Sequence, residues 1–439
     1  MLLTTFNCTA LTGGAARALD SYAVAGLTDG DRAICAVGGV LLYFMFDADG
    51  TDAENVSAHP YKVRPNDYDT QGVWIEQLID VSDAAYDEST WNGVTNVAPS
   101  KNAVFNSFGT LFPIHYERVT QPARSAVDTI TIYDGTIICV NNKVFAVSSD
   151  MHLELNTNAT WDTGTALNDA ARAGHDYYVY ACDNSGTLAL LVSANSTYPT
   201  GYTAATSRKI GGFHCLCVAV GTIAGHTLTG FAQGEILPQS VWDLKHRPIC
   251  EPAGMVWSDE ARVWVDIYLA SGTGVSTVSV NGGTISDTRD WMDFVDDFGA
   301  VKKQLLDDAE FQLIAAGSNE ETNITGSADP GTTGGHVDTA ARRMISNIGC
   351  EDCAGALWQW LRDQSYRPPA TPGWEWYNLP GSKGSLYNYG GAAGDADAKL
   401  VAGGFRTSAA DCGSRCRGAD YSRWAASAAI GGRGRSRKL

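Results

Sequence analysis

Residues 346–366, SNIGCEDCAGALWQWLRDQSY, constrain the fold more than any other stretch of this chain. A turn punctuated by Gly349 and Gly355 runs into the apolar string Ala356-Leu357-Trp358-Gln359-Trp360. Side chains alternate along an extended segment, so Trp358 and Trp360 share one face. Two indole rings on one face need a packed partner, and buried aromatics dominate core energetics. The stretch therefore predicts a strand at the centre of a folded domain.

The rest of the chain supports a β-rich, multidomain reading. At 439 residues it is long enough for two to four domains. Only 18% of residues are charged and 47 are Gly, a mix that suits strands joined by many turns. No run of 18 apolar residues occurs, so no transmembrane helix and no membrane insertion are expected. The start, MLLTTFNCTALTGGAARALD, lacks a basic region and an apolar core, so it does not read as a secretory signal. The net charge is -18, yet residues 401–439 carry eight Lys or Arg against Asp411 and Asp420, a net of +6 that leaves -24 on the remainder. An acidic body argues against nucleic acid as a partner. The basic end reads as a solvated tail plus arginines tied into loop carbonyls or subunit contacts.

In chain order, Arg32–Val37 and Val40–Phe46 read as a hairpin about Gly38-Gly39. Asp47-Ala48-Asp49-Gly50 lacks the spacing of a calcium loop and reads as a turn. Ser100 can cap a short helix from Lys101. Residues 129–147 read as a three-strand meander turning at Asp134-Gly135 and Asn141-Asn142, and residues 177–192 as a hairpin over Asp183–Gly186. Gly211–Val220 reads as a strand with Cys215 and Cys217 on one face. Ile236–Leu244 looks like a linker helix, Val263–Leu269 a strand, and Trp291–Phe298 and Val301–Ile314 two helices. A Gly/Thr/Asp-rich loop covers Asn319–Val337, and such long loops tend to be functional.

Three resemblances sharpen this reading. Asn347, Gly349, Asp352, Gly355, Leu357, Trp358 and Trp360 resemble the N-x-x-G-x-x-D-M-x-G-N-V-W-E-W signature of the formylglycine-generating-enzyme type of C-type lectin fold, with Gln359 where Glu is usual. Leu305–Phe311 with Ala315-Ala316-Gly317, Gly403-Gly404-Phe405, and Ile430-Gly431-Gly432-Arg433 resemble other ordered motifs of that fold. Ala98-Pro99-Ser100-x-Asn102-Ala103-Val104 resembles an element of tailed-phage fibres and adhesins, and Arg172–Phe213 is similar to the middle domain of phage tail proteins ending in this lectin fold. Together they imply β-rich N-terminal and middle domains followed by an α+β C-type-lectin-like domain. The expected division is 1–115 for virion attachment, 116–235 for a β-sandwich-like oligomerisation domain, and 236–439 for receptor binding.

The segment Gly403–Arg433 resembles the C-terminal part of variable proteins diversified by retroelements, which display changeable side chains on a fixed lectin frame. The resemblance makes Gly403, Gly404, Cys412, Gly413, Ser414, Arg415, Cys416, Ile430, Gly431 and Arg433 the frame. It makes Phe405, Arg406, Asp411, Tyr421, Ser422, Arg423 and Trp424 the displayed set, with Trp374, Trp376, Tyr377, Asn388 and Tyr389 beside them. Tyr, Trp and Arg suit such a role, since they are enriched in binding hot spots; Tyr421 and Trp424 would equally serve as packing. The implied protein is a tail fibre or tip adhesin of the virion, a homotrimer that contacts other tail proteins and binds a host-surface glycan or protein. The alternatives are a decoration protein of the particle and a copper- and oxygen-dependent enzyme. The enzyme reading rests on Cys412 and Cys416, which otherwise are inert or disulfide-linked; with Cys350 and Cys353 they would make a zinc set. No nucleophile, zinc-helix or phosphate-loop motif occurs, so no catalytic residue, metal or cofactor is expected.

Overall fold

The computed structural model describes residues 5–37, 40–58, 60–77, 115–365, 374–378, 385–389 and 398–439. The chain separates into two compact units, Met1–Ser107 and Phe108–Leu439.

The first unit is built on β1 (Thr5–Cys8), β2 (Arg32–Val37), β3 (Val40–Asp47), β4 (Lys62–Val63) and β5 (Val73–Glu76), in the sheet order β1-β2-β3-β5-β4. β1 runs parallel to β2, and β2 with β3 forms the expected hairpin. The turn at Gly38-Gly39 lies outside the described residues, as do residues 92–105 with the helix start at Lys101. One face buries Phe44, Phe46 and Trp74, the last two with ring centroids 5.2 Å apart. Asp47–Gly50 is a turn, closed by Gly50 N donating to the Asp47 carbonyl at 3.2 Å.

The second unit opens with β6 (Tyr116–Glu117), β7 (Ala123–Ala126), β8 (Thr129–Ile132), β9 (Ile137–Val140), β10 (Lys143–Ala146) and β11 (Met151–Glu154). These make two three-stranded sheets, β10-β9-β6 and β11-β8-β7, rather than one meander. The reason is burial: every residue of β8 is covered, so it pairs on both edges within one sheet while Asp134-Gly135 carries the chain to the other. Asn141 and Asn142, at φ +52° and +57°, do turn β9 into β10. After α1 (Asp169–Arg172) come β12 (Asp176–Asn184), β13 (Thr187–Ser193), β14 (Ser207–His214) and β15 (Trp242–Asp243), in the order β13-β12-β14-β15. The β12–β13 hairpin is as expected. β14, however, ends at His214, and Cys215 and Cys217 enter different buried clusters. The expected linker helix is only a 3-10 turn at Pro238–Ser240 leading into β15, because Ser240 Oγ bonds the carbonyls of Leu237 and His214 and draws the chain onto the sheet.

The remainder contains β16 (Met255–Ser258), β17 (Val263–Asp266), β18 (Ala270–Ser271), β19 (Val278–Ser279), α2 (Trp291–Ala300), β20 (Gln304–Leu305), α3 (Asp308–Ile314), β21 (Trp358–Ser365), β22 (Trp374–Asn378), β23 (Ser385–Tyr389), β24 (Ala398–Gly403), β25 (Gly413–Ser422), β26 (Ile430–Gly431) and β27 (Gly434–Ser436). Its main sheets are β16-β17-β27-β20 and β25-β24-β21-β26. The second helix starts at Asp308 rather than Val301: Asp307 and Glu310 form a capping box, and Gln304–Leu305 pair with β27 instead. In the basic C-terminal end, arginines are tied to carbonyls as expected, Arg406 to Ala428 and Arg433 to Asp266 and Ile267, and the exposed tail is confined to residues 437–439. β27 lies inside a sheet, with Arg433 and Arg435 1% and 3% exposed. No helix among the described residues is long and apolar enough to cross a membrane.

Candidate functional site

The sheet β25-β24-β21-β26 is anchored from below by one guanidinium. Arg433 donates from Nη1 to the carbonyls of Asp266 and Ile267 at 2.7 and 2.6 Å, from Nη2 to the Glu351 carbonyl, and from Nε to Gln359 Oε1 at 3.0 Å. Gln359 in turn donates to the carbonyls of Asp352 and Cys353. The SNIGCEDCAGALWQW turn and the closing Arg433 are thus one buried unit, which ties the two ends of the motif set together. Trp358 and Trp360 do share a face, packing with Phe294, Phe298, Val401 and Ile430.

Above this frame, Gly403 and Gly404 take φ +95° and +81°. A Cβ on Gly403 would run into the Cys353 carbonyl oxygen, so only glycine lets β24 pass the turn this closely. β25 then pairs with β24 from Gly413 opposite Gly403 to Ser422 opposite Ala398, with Ser414, Arg415 and Cys416 extruded as a bulge. Glu320, from the loop at Asn319–Val337, accepts from Ser414 N at 3.1 Å and Ser414 Oγ at 2.7 Å and fixes that bulge.

Tyr421, Ser422, Arg423 and Trp424 come together where β25 ends. Tyr421 sets its ring edge-on to Trp360, with centroids 6.2 Å apart. Arg423 lies 5.7 Å from the ring centroids of both Trp291 and Trp424, and its carbonyl accepts from Trp291 N at 2.9 Å. Lys399 Nζ stands 4.3 Å over the other part of this platform, the Trp291 ring. Burial pushes the Tyr421 hydroxyl up and the Arg423 guanidinium down from their ordinary values. These four side chains are half-buried rather than fully projecting.

Phe405 and Arg406 leave the other end of β24. Phe405 packs against the same cluster as Trp291 and Tyr421. Arg406 reaches the Ala428 carbonyl at 2.8 Å and pairs with Asp329 at 3.2 Å, so it braces the loop that follows Trp424. Asp411 is exposed in the turn before β25, apart from Tyr421 by the length of β24, roughly 17 Å at 3.3 Å per residue. Trp374, Trp376 and Tyr377 lie on β22, and Asn388 and Tyr389 on β23, in a register that pairs position 374 with 389 and 375 with 388. Trp291 and Glu320 also contribute to the site, although the sequence pattern marks them only as the first residue of an expected helix and a member of the long Asn319–Val337 loop.

All eleven cysteines are free. Cys412 Sγ contacts the Phe405 carbonyl and Cys416 Sγ the Asp411 carbonyl, and burial holds the Cys412 thiol at about 12. Each of the two sulfurs thus bonds a backbone carbonyl of its own rather than the other sulfur. Among the described residues no group of three or more His, Cys, Asp or Glu is arranged to hold a metal.

Comparison with known proteins places this architecture. Residues 120–243 match the family described as the Mtd second domain. The chain is 30% identical over 294 residues to a tail fiber receptor-binding protein of Bordetella phage BPP-1, covering 62% of this chain and 71% of that one. Solved structures of the U1 and M1 variants of the Major Tropism Determinant superpose with a TM-score of 0.62 each, at 28% and 27% identity, over 75% of this chain and 87% of theirs. A β-rich chain with this sheet order, this buried arginine frame and these relatives belongs to the family of phage tail fibre receptor-binding proteins that includes the Major Tropism Determinant.

Proposed function

We propose that this chain is a tail adhesin of a bacteriophage virion that binds a receptor on the host surface through the face formed by Tyr421, Ser422, Arg423 and Trp424. The observation that carries this reading is the separation of roles around β25. Arg433, Gln359 and the two glycines hold the sheet from within, whereas Arg423 and Trp424 sit past its end on a half-open platform completed by Trp291. Arginine flanked by indole rings offers large contact area at small entropic loss, the composition of an interface hot spot. Phe405 and Arg406 border this face, Asp411 lies farther along β24, and β22–β23 carries Trp374, Trp376, Tyr377, Asn388 and Tyr389 as a second displayed element.

The finer assignments are part of the same proposal. Residues 236–439 act as a C-type-lectin-like binding domain, 116–235 as the oligomerising middle domain, and 1–115 as the attachment to other tail proteins, in a homotrimer without catalytic activity. The similarity to a tail fiber receptor-binding protein and to variants of the Major Tropism Determinant supports the binding role. The test is direct labelling: fluorescently tagged full chain should decorate cells of a strain the phage adsorbs to, and gold-labelled antibody against it should mark the tail tip. Label confined to the head, or absent from susceptible cells, would overturn the reading.

A further inference from the structure

The first unit contains a pair of thiols that no feature of receptor binding uses. β1 and β2 run parallel with Cys8 directly opposite Cys35. Side chains of directly paired residues on neighbouring strands project to the same side of the sheet. Here that side is the core face: Phe6, Cys8, Ala33, Cys35, Leu42, Phe44 and Phe46 all belong to one buried cluster. Cys8 and Cys35 are 3% and 0% exposed. Adjacent strands lie about 4.8 Å apart, inside the range of Cα separations that a disulfide spans. The two thiols are close enough to shift each other's titration, with the Tyr22 hydroxyl acting on Cys8 as well. Cys8 is the last residue of β1, and among the described residues β1 is an edge strand that pairs with β2 alone. Local opening of an edge strand costs less than opening of an interior strand, and such opening lets a small reagent reach the buried Cys8.

We propose that Cys8 and Cys35 are a disulfide-forming pair that closes in oxidising surroundings and fastens the N-terminal strand to the sheet. The chemistry is exchange with a small organic disulfide. The Cys8 thiolate attacks one sulfur of that disulfide, forming a mixed disulfide and expelling one thiolate. Cys35 gives up its proton and attacks the Cys8 sulfur, expelling the second thiolate, so the protein loses two protons and two electrons and the reagent becomes two thiols. Cys8 is the attacking residue: the neighbouring Cys35 thiol, the Tyr22 hydroxyl and the charge of Arg17 lower its pKa against the opposing effect of burial. A cross-link here closes a loop that includes the turn from Thr9 to Asp31, whose freedom in the unfolded chain it removes. The inference is independent of the receptor-binding reading, since it concerns only the first unit's own core.

The experiment uses the folded full chain incubated with oxidised glutathione, then alkylated, unfolded and digested without reduction. The expected product is a Cys8 peptide joined to a Cys35 peptide, two hydrogens lighter than the separate pair. The oxidised protein should also show a first unfolding step raised by on the order of 10 °C over the dithiothreitol-treated protein. In Cys35→Ser, Cys8 should instead retain glutathione and the rise should vanish. Recovery of Cys8 and Cys35 as separate alkylated peptides from oxidised wild type, or Cys8 joined to a different cysteine, would overturn the proposal. The wild-type peptide map decides the matter even if the variant does not fold.

Discussion

Arg433 Nε donates to Gln359 Oε1 across 3.0 Å, joining the last part of the chain to the start of β21. The amide is what makes the junction work. Its oxygen accepts from Arg433 while its nitrogen donates to the carbonyls of Asp352 and Cys353, at 3.1 and 3.0 Å. The lectin-fold signature that this stretch resembles carries Glu at this position, and a carboxylate accepts but cannot donate. Gln359→Glu should therefore strengthen the contact to Arg433 yet set a carboxylate against two buried carbonyls. The expected net result is a loss of about 1–3 kcal/mol in denaturant unfolding of the second unit. Arg433→Lys should cost at least as much, since an ammonium cannot reproduce the planar set of donors.

Gly403 tests the close passage of β24 over the turn at Cys353. Gly403→Ala adds a Cβ against the Cys353 carbonyl at a φ of +95°. A destabilisation of about 2 kcal/mol or more is expected, read from the unfolding midpoint. Gly299→Ala, a helical position where an added Cβ meets nothing within 4 Å, is the control and should be neutral or slightly stabilising.

His246 gives the second unit an acid sensitivity. It is buried between the rings of Trp257 and Trp264, with centroids 5.2 and 5.1 Å away. Burial, then the charges of Lys438 and Arg118, lower its pKa from 6.5 to about 4. The unfolded chain takes up this proton at higher pH than the folded one. Its contribution to stability is thus complete above about pH 6.5 and is lost as pH falls toward 4. His246→Gln should flatten that part of the stability-versus-pH curve, measured by thermal unfolding in a buffer series; an unchanged slope would remove His246 as its source.

The face at the end of β25 should divide by role. Tyr421 leans on Trp360, so Tyr421→Ala should cost about 1–3 kcal/mol of stability. Arg423→Ala and Trp424→Ala should change stability by about 1 kcal/mol or less while weakening cell binding about tenfold or more. Trp291→Ala should do both, because its indole Nε1 also donates to the Leu361 carbonyl at 2.8 Å.

Local pattern made much of this legible. The shared face of Trp358 and Trp360, the β2–β3 and β12–β13 hairpins and the Asn141-Asn142 turn all follow from alternation and turn chemistry within a few residues. The ordered motifs also led to Arg433 as a frame residue. What failed was the choice of distant partners. β8 and β9 look like consecutive strands of one sheet, and only burial on every side of β8 separates them. Arg435 looks like part of a solvated tail until β17 and β20 pair with β27. Trp291 reads as a plain helix residue, since nothing near it in sequence announces Arg423 and Lys399. The start of α3 is marked in the sequence by the Asp307–Glu310 capping pair, a signal that the expected helix over Val301–Ile314 leaves unused.

The most direct test of the account is competition for adsorption. Purified full-length protein, added to susceptible cells before the phage, should occupy the receptor and reduce adsorption in proportion to its concentration. The Arg423→Ala, Trp424→Ala double variant, folded by its unfolding midpoint, should need about tenfold or more protein for the same effect. A folded double variant that blocks adsorption as well as the wild type would contradict a receptor-binding face at the end of β25.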